Sequence, residues 1–216
     1  MNTKTQGYLL NEFDYRRIKP LQEHIRVQGL EFKYFITLDY FKPTDDLTTV
    51  LLDNRHLKKT IRSFFKSDIH MLFFTEKHLK EPTSKFYGSY HRHILMEDIP
   101  AEVWKNPTKQ MERFMLELSP EMWFACKWNN VSEKDKMDLL KKVVKGFNHQ
   151  SIPNGRKGTR YDKVFNLDGL LSYCTKQNRN NIPNEYVIDL MNSDGLDNEW
   201  YRKNYGRHQT VLTWSH

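Results

Sequence analysis

Tyr90-His91-Arg92-His93 sets two imidazoles two residues apart. On a β-strand alternate side chains share a face, so His91 and His93 project together with Cβ atoms about 7 Å apart. Two imidazoles at that spacing can share one divalent ion. Arg92 points to the opposite face. Among nine histidines such a pair is a weak sign by itself, and two ordinary surface histidines are its simplest alternative. Glu76 and His78 alternate in the same way on an earlier apolar segment. If the two segments pair as an antiparallel hairpin closing around Glu81-Pro82-Thr83, these side chains converge with the imidazoles across the ladder. Two histidines and a carboxylate, with positions left open, make a catalytic site for a hard or borderline divalent cation. Glu76 is the first choice of third ligand, weighed against a solvated charge on a hairpin. Cys126 and Cys174 form neither a CxxC knuckle nor a disulfide framework, so a structural zinc site is not expected.

The elements that must position these groups are legible in outline. Residues 31–40 (EFKYFITLDY), aromatic and β-branched and ended by Lys42-Pro43-Thr44, read as a strand. Val50, Leu57, Ile61 and Phe64 or Phe65 recur at helical spacing up to Lys66-Ser67-Asp68. Strands are expected at 69–78 and 86–96, joined by the turn-forming residues 79–85. Residues 108–118 carry a helical apolar face. Ser132-Glu133-Lys134-Asp135 has capping-box form and opens a helix reaching Phe147. Between them 122–128 (MWFACKW) fits a buried strand or a helix. Residues 161–165 read as a short strand, and Asn166 or Asp168 caps a helix running through Lys176. On that helix Leu167, Leu170, Leu171 and Cys174 form the core stripe, Tyr173 lies to the side, and Lys176 faces nearly the same way as Tyr173. The order β-α-β-β-α-(β)-helix predicts an α+β fold: a mostly antiparallel sheet with helices on one face, in the split βαβ arrangement. Residues 1–30 are expected to form an N-terminal arm or a short helix laid against the domain, 31–180 the main domain, and 181–216 a C-terminal tail packed on it.

The 216 residues carry 34 Lys and Arg against 27 Asp and Glu, a formal charge of +7 that suits a polyanionic partner without demanding one. The 13% aromatic content argues against disorder. No apolar run approaches eighteen residues and the first twenty lack a signal-peptide core, so an intracellular protein with no membrane partner is expected.

Three of these stretches, in order, resemble the motifs of the HUH endonucleases, particularly the replication-initiator (Rep) nuclease domains of rolling-circle plasmids and small circular single-stranded DNA viruses. Phe35-Ile36-Thr37-Leu38-Asp39 is similar to the first motif. Tyr90-His91-Arg92-His93-Ile94-Leu95 is similar to the second, and Tyr173-Cys174-Thr175-Lys176 resembles the third, Y-x-x-K. The likeness covers about residues 31–180. It implies an RRM-like nuclease fold and a single-tyrosine enzyme that nicks and rejoins single-stranded DNA. Tyr173 would be the nucleophile that forms a 5′-phosphotyrosine link, and Lys176 its assisting cation. His91 and His93 would hold Mg²⁺ or Mn²⁺. The third ligand stays open between Glu76, His78 and Gln177, which stands where single-tyrosine transposases carry a ligand.

Arg92 departs from the family's apolar residue at that position, implying a back face that is open or touches DNA. The implied partners are single-stranded or hairpin origin DNA and a host replication helicase or polymerase. The compartment would be the cytoplasm for a bacterial element or the nucleus for a eukaryotic virus. Arg156, Lys157 and Arg160 on the glycine-rich loop are the candidate phosphate contacts, with Lys141, Lys142 and Lys145 on the preceding helix. A transposase or relaxase shares this chemistry. A non-catalytic single-strand nucleic-acid-binding domain is the alternative of a different class, since the same sheet serves such binders.

Overall fold

Alternating apolar side chains build the sheet on which everything else rests. The computed structural model describes residues 12–39, 44–78, 82–84, 87–144, 160–175, 186–190 and 192–205. Strands β1 (Phe32–Asp39), β2 (Met71–Lys77), β3 (Tyr90–Glu97), β4 (Arg160–Lys163) and β5 (Tyr186–Ile188) form one sheet in the order β4-β1-β3-β2-β5. Every pairing is antiparallel. β3 therefore lies between β1 and β2, which run parallel to each other and are joined by helix α2 (Leu47–Phe65). This is the split βαβ arrangement and the α+β class that the sequence predicts, with the expected β2–β3 hairpin.

The two faces of the sheet are both covered, and here the expectation of helices on one face is corrected. Tyr34, Ile36, Leu38, Phe73, Ile94 and Met96 face one core, shared with α2 and with α3 (Ala101–Lys105), α4 (Lys109–Leu118), α5 (Pro120–Lys127) and α6 (Glu133–Val144). Phe35, Leu72, Phe74, Leu95 and Ile188 face a second core on the other side. It is closed by α1 (Glu12–Val27) through Ile18, Leu21 and Ile25, and by α7 (Leu167–Cys174) through Leu171 and Cys174. Helix α1 takes up the segment expected as an arm or short helix, and at 16 residues it is longer than a short one. Its apolar residues recur at helical spacing, and its one proline, Pro20, does not interrupt it. Helix α8 (Asn198–Tyr205) follows β5.

Local signals set the helix ends. The Asp46 carboxylate accepts from the Thr48 and Thr49 N–H groups and starts α2. Ser132 Oγ accepts from Asp135 N, the first half of the expected capping box, and donates to the Asp135 carboxylate. Of residues 122–128, which fit either element, 122–127 fall within helix α5 and Trp128 is its C-cap. Ser119 ends α4 through its N–H to Met115 O and caps α5 by accepting from Met122 N, with Pro120 in the first turn. Among the described residues no helix is long and apolar enough to cross a membrane.

Candidate metal centre

In an antiparallel ladder, directly opposed residues share a face. Thr37 on β1 opposes His93 on β3, and His93 in turn opposes Phe74 on β2. One step along, His91 opposes Glu76. Period-two alternation then brings His91, His93 and Glu76 to the face that also carries Phe35, beneath α7. The three donors meet there. His91 Nε2 lies 3.1 Å from His93 Nε2, and the Glu76 carboxylate is 3.2 Å from His93 Nε2 and 3.6 Å from His91 Nε2. Glu76, His91 and His93 are 4, 7 and 1% exposed.

A buried carboxylate needs a proton, a donor or a cation close by. Three ligands at about 2.1 Å from a shared ion stand about 3.0 Å apart at neighbouring octahedral positions and about 3.4 Å apart at tetrahedral ones, which matches the separations here. The donor chemistry and spacing fit a divalent metal ion, and Glu76, His91 and His93 could hold one. The groups around them orient the imidazoles. Thr37 Oγ1 lies 2.9 Å from His93 Nδ1, so with Nδ1–H donating to the hydroxyl the lone pair of Nε2 faces the other two donors. Phe35 stacks on the His93 ring, with centroids 5.4 Å apart and planes at 16°. His78, half-buried, stacks on His91 at 4.2 Å. It packs against a member of the donor group, which among the described residues consists of Glu76 and the two imidazoles.

Tyr173 reaches this centre from α7. The helix starts where Asn166 Oδ1 accepts from Gly169 N at 2.9 Å, and a Cβ at Gly169 would lie 3.0 Å from the Asn166 amide nitrogen, so a larger residue there would push the capping side chain by a few tenths of an ångström. Leu171 and Cys174 sink into the core while Tyr173, on the flank, stays 45% exposed. Its ring meets the edge of His93 with centroids 5.2 Å apart and planes at 69°, and it lies 6.5 Å from Phe35. The sheet and the helix thus bring together four of the expected site residues, Glu76, His91, His93 and Tyr173.

Other candidates fare differently. Lys176, Gln177, Arg156, Lys157 and Lys145 lie outside the described residues, as does Phe147. Arg160 opens β4 opposite Thr37, and its backbone alone is described. Lys141 and Lys142 are paired with Asp138 and Glu117, at 2.8 and 2.7 Å. Arg92 is corrected outright. It is fully buried beneath α2, where its Nη1 donates to Asn54 Oδ1 at 3.2 Å, so it neither opens the back of the strand nor touches DNA. Thr37 and Phe35 are site residues with no role assigned from the sequence. Their alternation on the same face as the histidine pair was the signal available. No family model, curated protein or solved structure matches this chain.

Proposed function

We propose that this chain is a divalent-metal-dependent endonuclease that nicks and rejoins single-stranded DNA through a tyrosyl phosphate, and that it initiates rolling-circle replication of a small genetic element. The observation that carries the reading is the packing of the Tyr173 ring against His93, an imidazole of the Glu76-His91-His93 group. A phenol beside two histidines and a carboxylate is the constellation such chemistry needs, and the three ordered motifs that resemble the Rep nucleases add to it.

In the proposed reaction the Tyr173 oxygen bonds to the phosphorus of a DNA phosphodiester. The bond from phosphorus to the 3′ oxygen breaks, its electron pair leaves with that oxygen, and a proton is taken up there to give a 3′-hydroxyl. The strand's 5′-phosphate stays on the tyrosine, so the same step in reverse joins strands without an outside energy source. Glu76, His91 and His93 would hold a divalent ion, which when bound would supply polarisation of the phosphate oxygens. Two imidazoles with one carboxylate suit Mn²⁺ better than Mg²⁺, which prefers oxygen. Thr37 and Phe35 hold the His93 ring while this happens. Ionising a phenol of ordinary pKa about 10 at neutral pH costs about 4 kcal/mol, which is the part that Lys176, the cation of the Y-x-x-K motif, would offset.

Non-catalytic binding of single strands has less support. Binders built on this topology stack bases on an open sheet face. Here α1 and α7 bury Phe35, Leu72 and Leu95 on the corresponding face.

The test is incubation of the chain with labelled single-stranded and hairpin oligonucleotides and Mn²⁺, a denaturing gel, and mass spectrometry of the trapped conjugate. A covalent band with the nucleotide on Tyr173 is expected. A salt-sensitive complex that never becomes covalent would return the chain to the class of binders.

A further inference from the structure

Arg92 sits between the two imidazoles in sequence and on the opposite side of the sheet in space, fully buried. A guanidinium keeps its charge at every pH a protein meets, so one without solvent must be held by polar groups with an anion close by. Three side chains supply this. Arg92 Nη1 donates to Asn54 Oδ1 at 3.2 Å, and Asn54 Nδ2 donates to Asp189 Oδ2 at 3.0 Å. Asn192 Nδ2 donates to the same carboxylate oxygen at 2.6 Å and to Leu51 O at 3.0 Å, while Asn192 N donates to Asp189 Oδ1 at 3.1 Å. Asn54 therefore turns its carbonyl to the cation and its NH₂ to the anion. Asn54, Asp189 and Asn192 are 0, 1 and 5% exposed.

Such a set costs desolvation energy that a well-packed apolar side chain would not, and its remaining use is to fix one arrangement of the backbone. The backbone in question is that of β3 at the residue flanked by both metal-binding imidazoles. We propose that Arg92 is a positioning residue for the metal centre. Held from the far face by Asn54, which Asp189 holds in turn, it fixes the pleat of β3 and so the separation of His91 and His93. This rests on the metal-centre reading above and extends it to the face that bears no donors. It also makes the segment after β5, which supplies Asp189 and Asn192, a working part of the centre.

The test uses the full chain, Mn²⁺ alone as titrant with binding read by electron paramagnetic resonance, Co²⁺ as an optical reporter of ligand geometry, and thermal unfolding of each variant without metal. Arg92→Leu is expected to weaken Mn²⁺ binding about tenfold or more, the scale of loss when groups supporting metal ligands are removed, and to shift the Co²⁺ absorption bands. Arg92→Lys should recover part of both. A folded Arg92→Leu with wild-type Mn²⁺ affinity and wild-type Co²⁺ bands overturns the proposal, even if it melts earlier. Should Arg92→Leu fail to fold, Asp189→Asn, which keeps the side-chain shape, decides by the same two readouts: wild-type values overturn, weakened binding with shifted bands supports. A wild-type chain that binds neither ion overturns the metal centre itself, a result distinct from equal binding by wild type and variant.

Discussion

Thr37 stands opposite His93 across β1 and β3, with its hydroxyl oxygen 2.9 Å from His93 Nδ1. The hydroxyl gives one ring nitrogen a partner and leaves the other aimed at Glu76 and His91. Thr37→Val keeps the shape and removes the hydroxyl. It should weaken Mn²⁺ binding by about 10- to 100-fold while the metal-free chain melts close to wild type, and Thr37→Ser should restore affinity. Calorimetric titration of the three proteins checks this.

Tyr173 presents a different separation of roles. Tyr173→Phe keeps the ring against His93 and Phe35 and removes only the oxygen. Covalent capture of a labelled oligonucleotide should fall below detection, while its binding, followed by fluorescence anisotropy, should stay within about twofold, because one hydroxyl contributes little to a phosphate-dominated interface. A covalent band in this variant would remove Tyr173 from the reaction.

Metal binding should be visible as stability. An ion that binds the folded chain alone, supplied at a hundred times its dissociation constant, stabilises by about 2.7 kcal/mol. Mn²⁺ should raise the melting temperature of the wild type. The rise should vanish in His91→Ala combined with His93→Ala, shrink in Glu76→Gln, and be abolished by EDTA together with nicking.

Away from the centre, Glu133 offers a pH-dependent test of how β1 is tied to α6. Burial opposes ionisation of its carboxyl, but hydrogen bonds from the Lys33 and Lys136 ammonium groups outweigh it and hold the pKa at about 2, below the ordinary 4.5. Because the folded value is depressed, the stabilisation is present above pH 4.5 and is lost as pH falls from there towards 2. Glu133→Gln should lower stability at pH 7 by about 1 kcal/mol, allowing for screening of a carboxylate more than a third exposed, or about 2–4 °C in melting temperature. Melting curves of the two proteins at pH 7 and below pH 3 should show that gap closing.

Much of this arrangement could be read from residue order. β1, β2 and β3 announce themselves through apolar alternation, and that same alternation puts His91, His93 and Glu76 on one face once the strands pair. What stayed hidden depends on partners distant in the chain. Arg92 looks open to solvent or DNA until Asn54, 38 residues away, is seen to accept from it, with Asp189, a further 135 residues from Asn54, bonded behind that amide. β5 has three residues amid polar sequence and no periodicity to detect. Asp189 N donates to Phe73 O, Ser193 Oγ accepts from Phe73 N, and the Asp194 carboxylate accepts from Met71 N, so side chains do much of the joining to β2. Helix α3 spans five residues, too few to show a repeat. Residues 122–128 were ambiguous because aromatic residues crowd a short window, and the Ser119-Pro120 start resolves them.

Leu171 and Cys174 are anchored in the core, and Tyr173 is set between them on the flank of α7. Each residue added to a helix rotates everything after it by about 100°. A single insertion or deletion in α7 ahead of Leu171 would then swing the phenol away from His93 and, by the same rotation, pull two apolar anchors out of the core. Aim and burial are geared together in this helix, so drift in its length is penalised twice, and any descendant of this chain that still works should keep the count from Asn166 to Tyr173 unchanged.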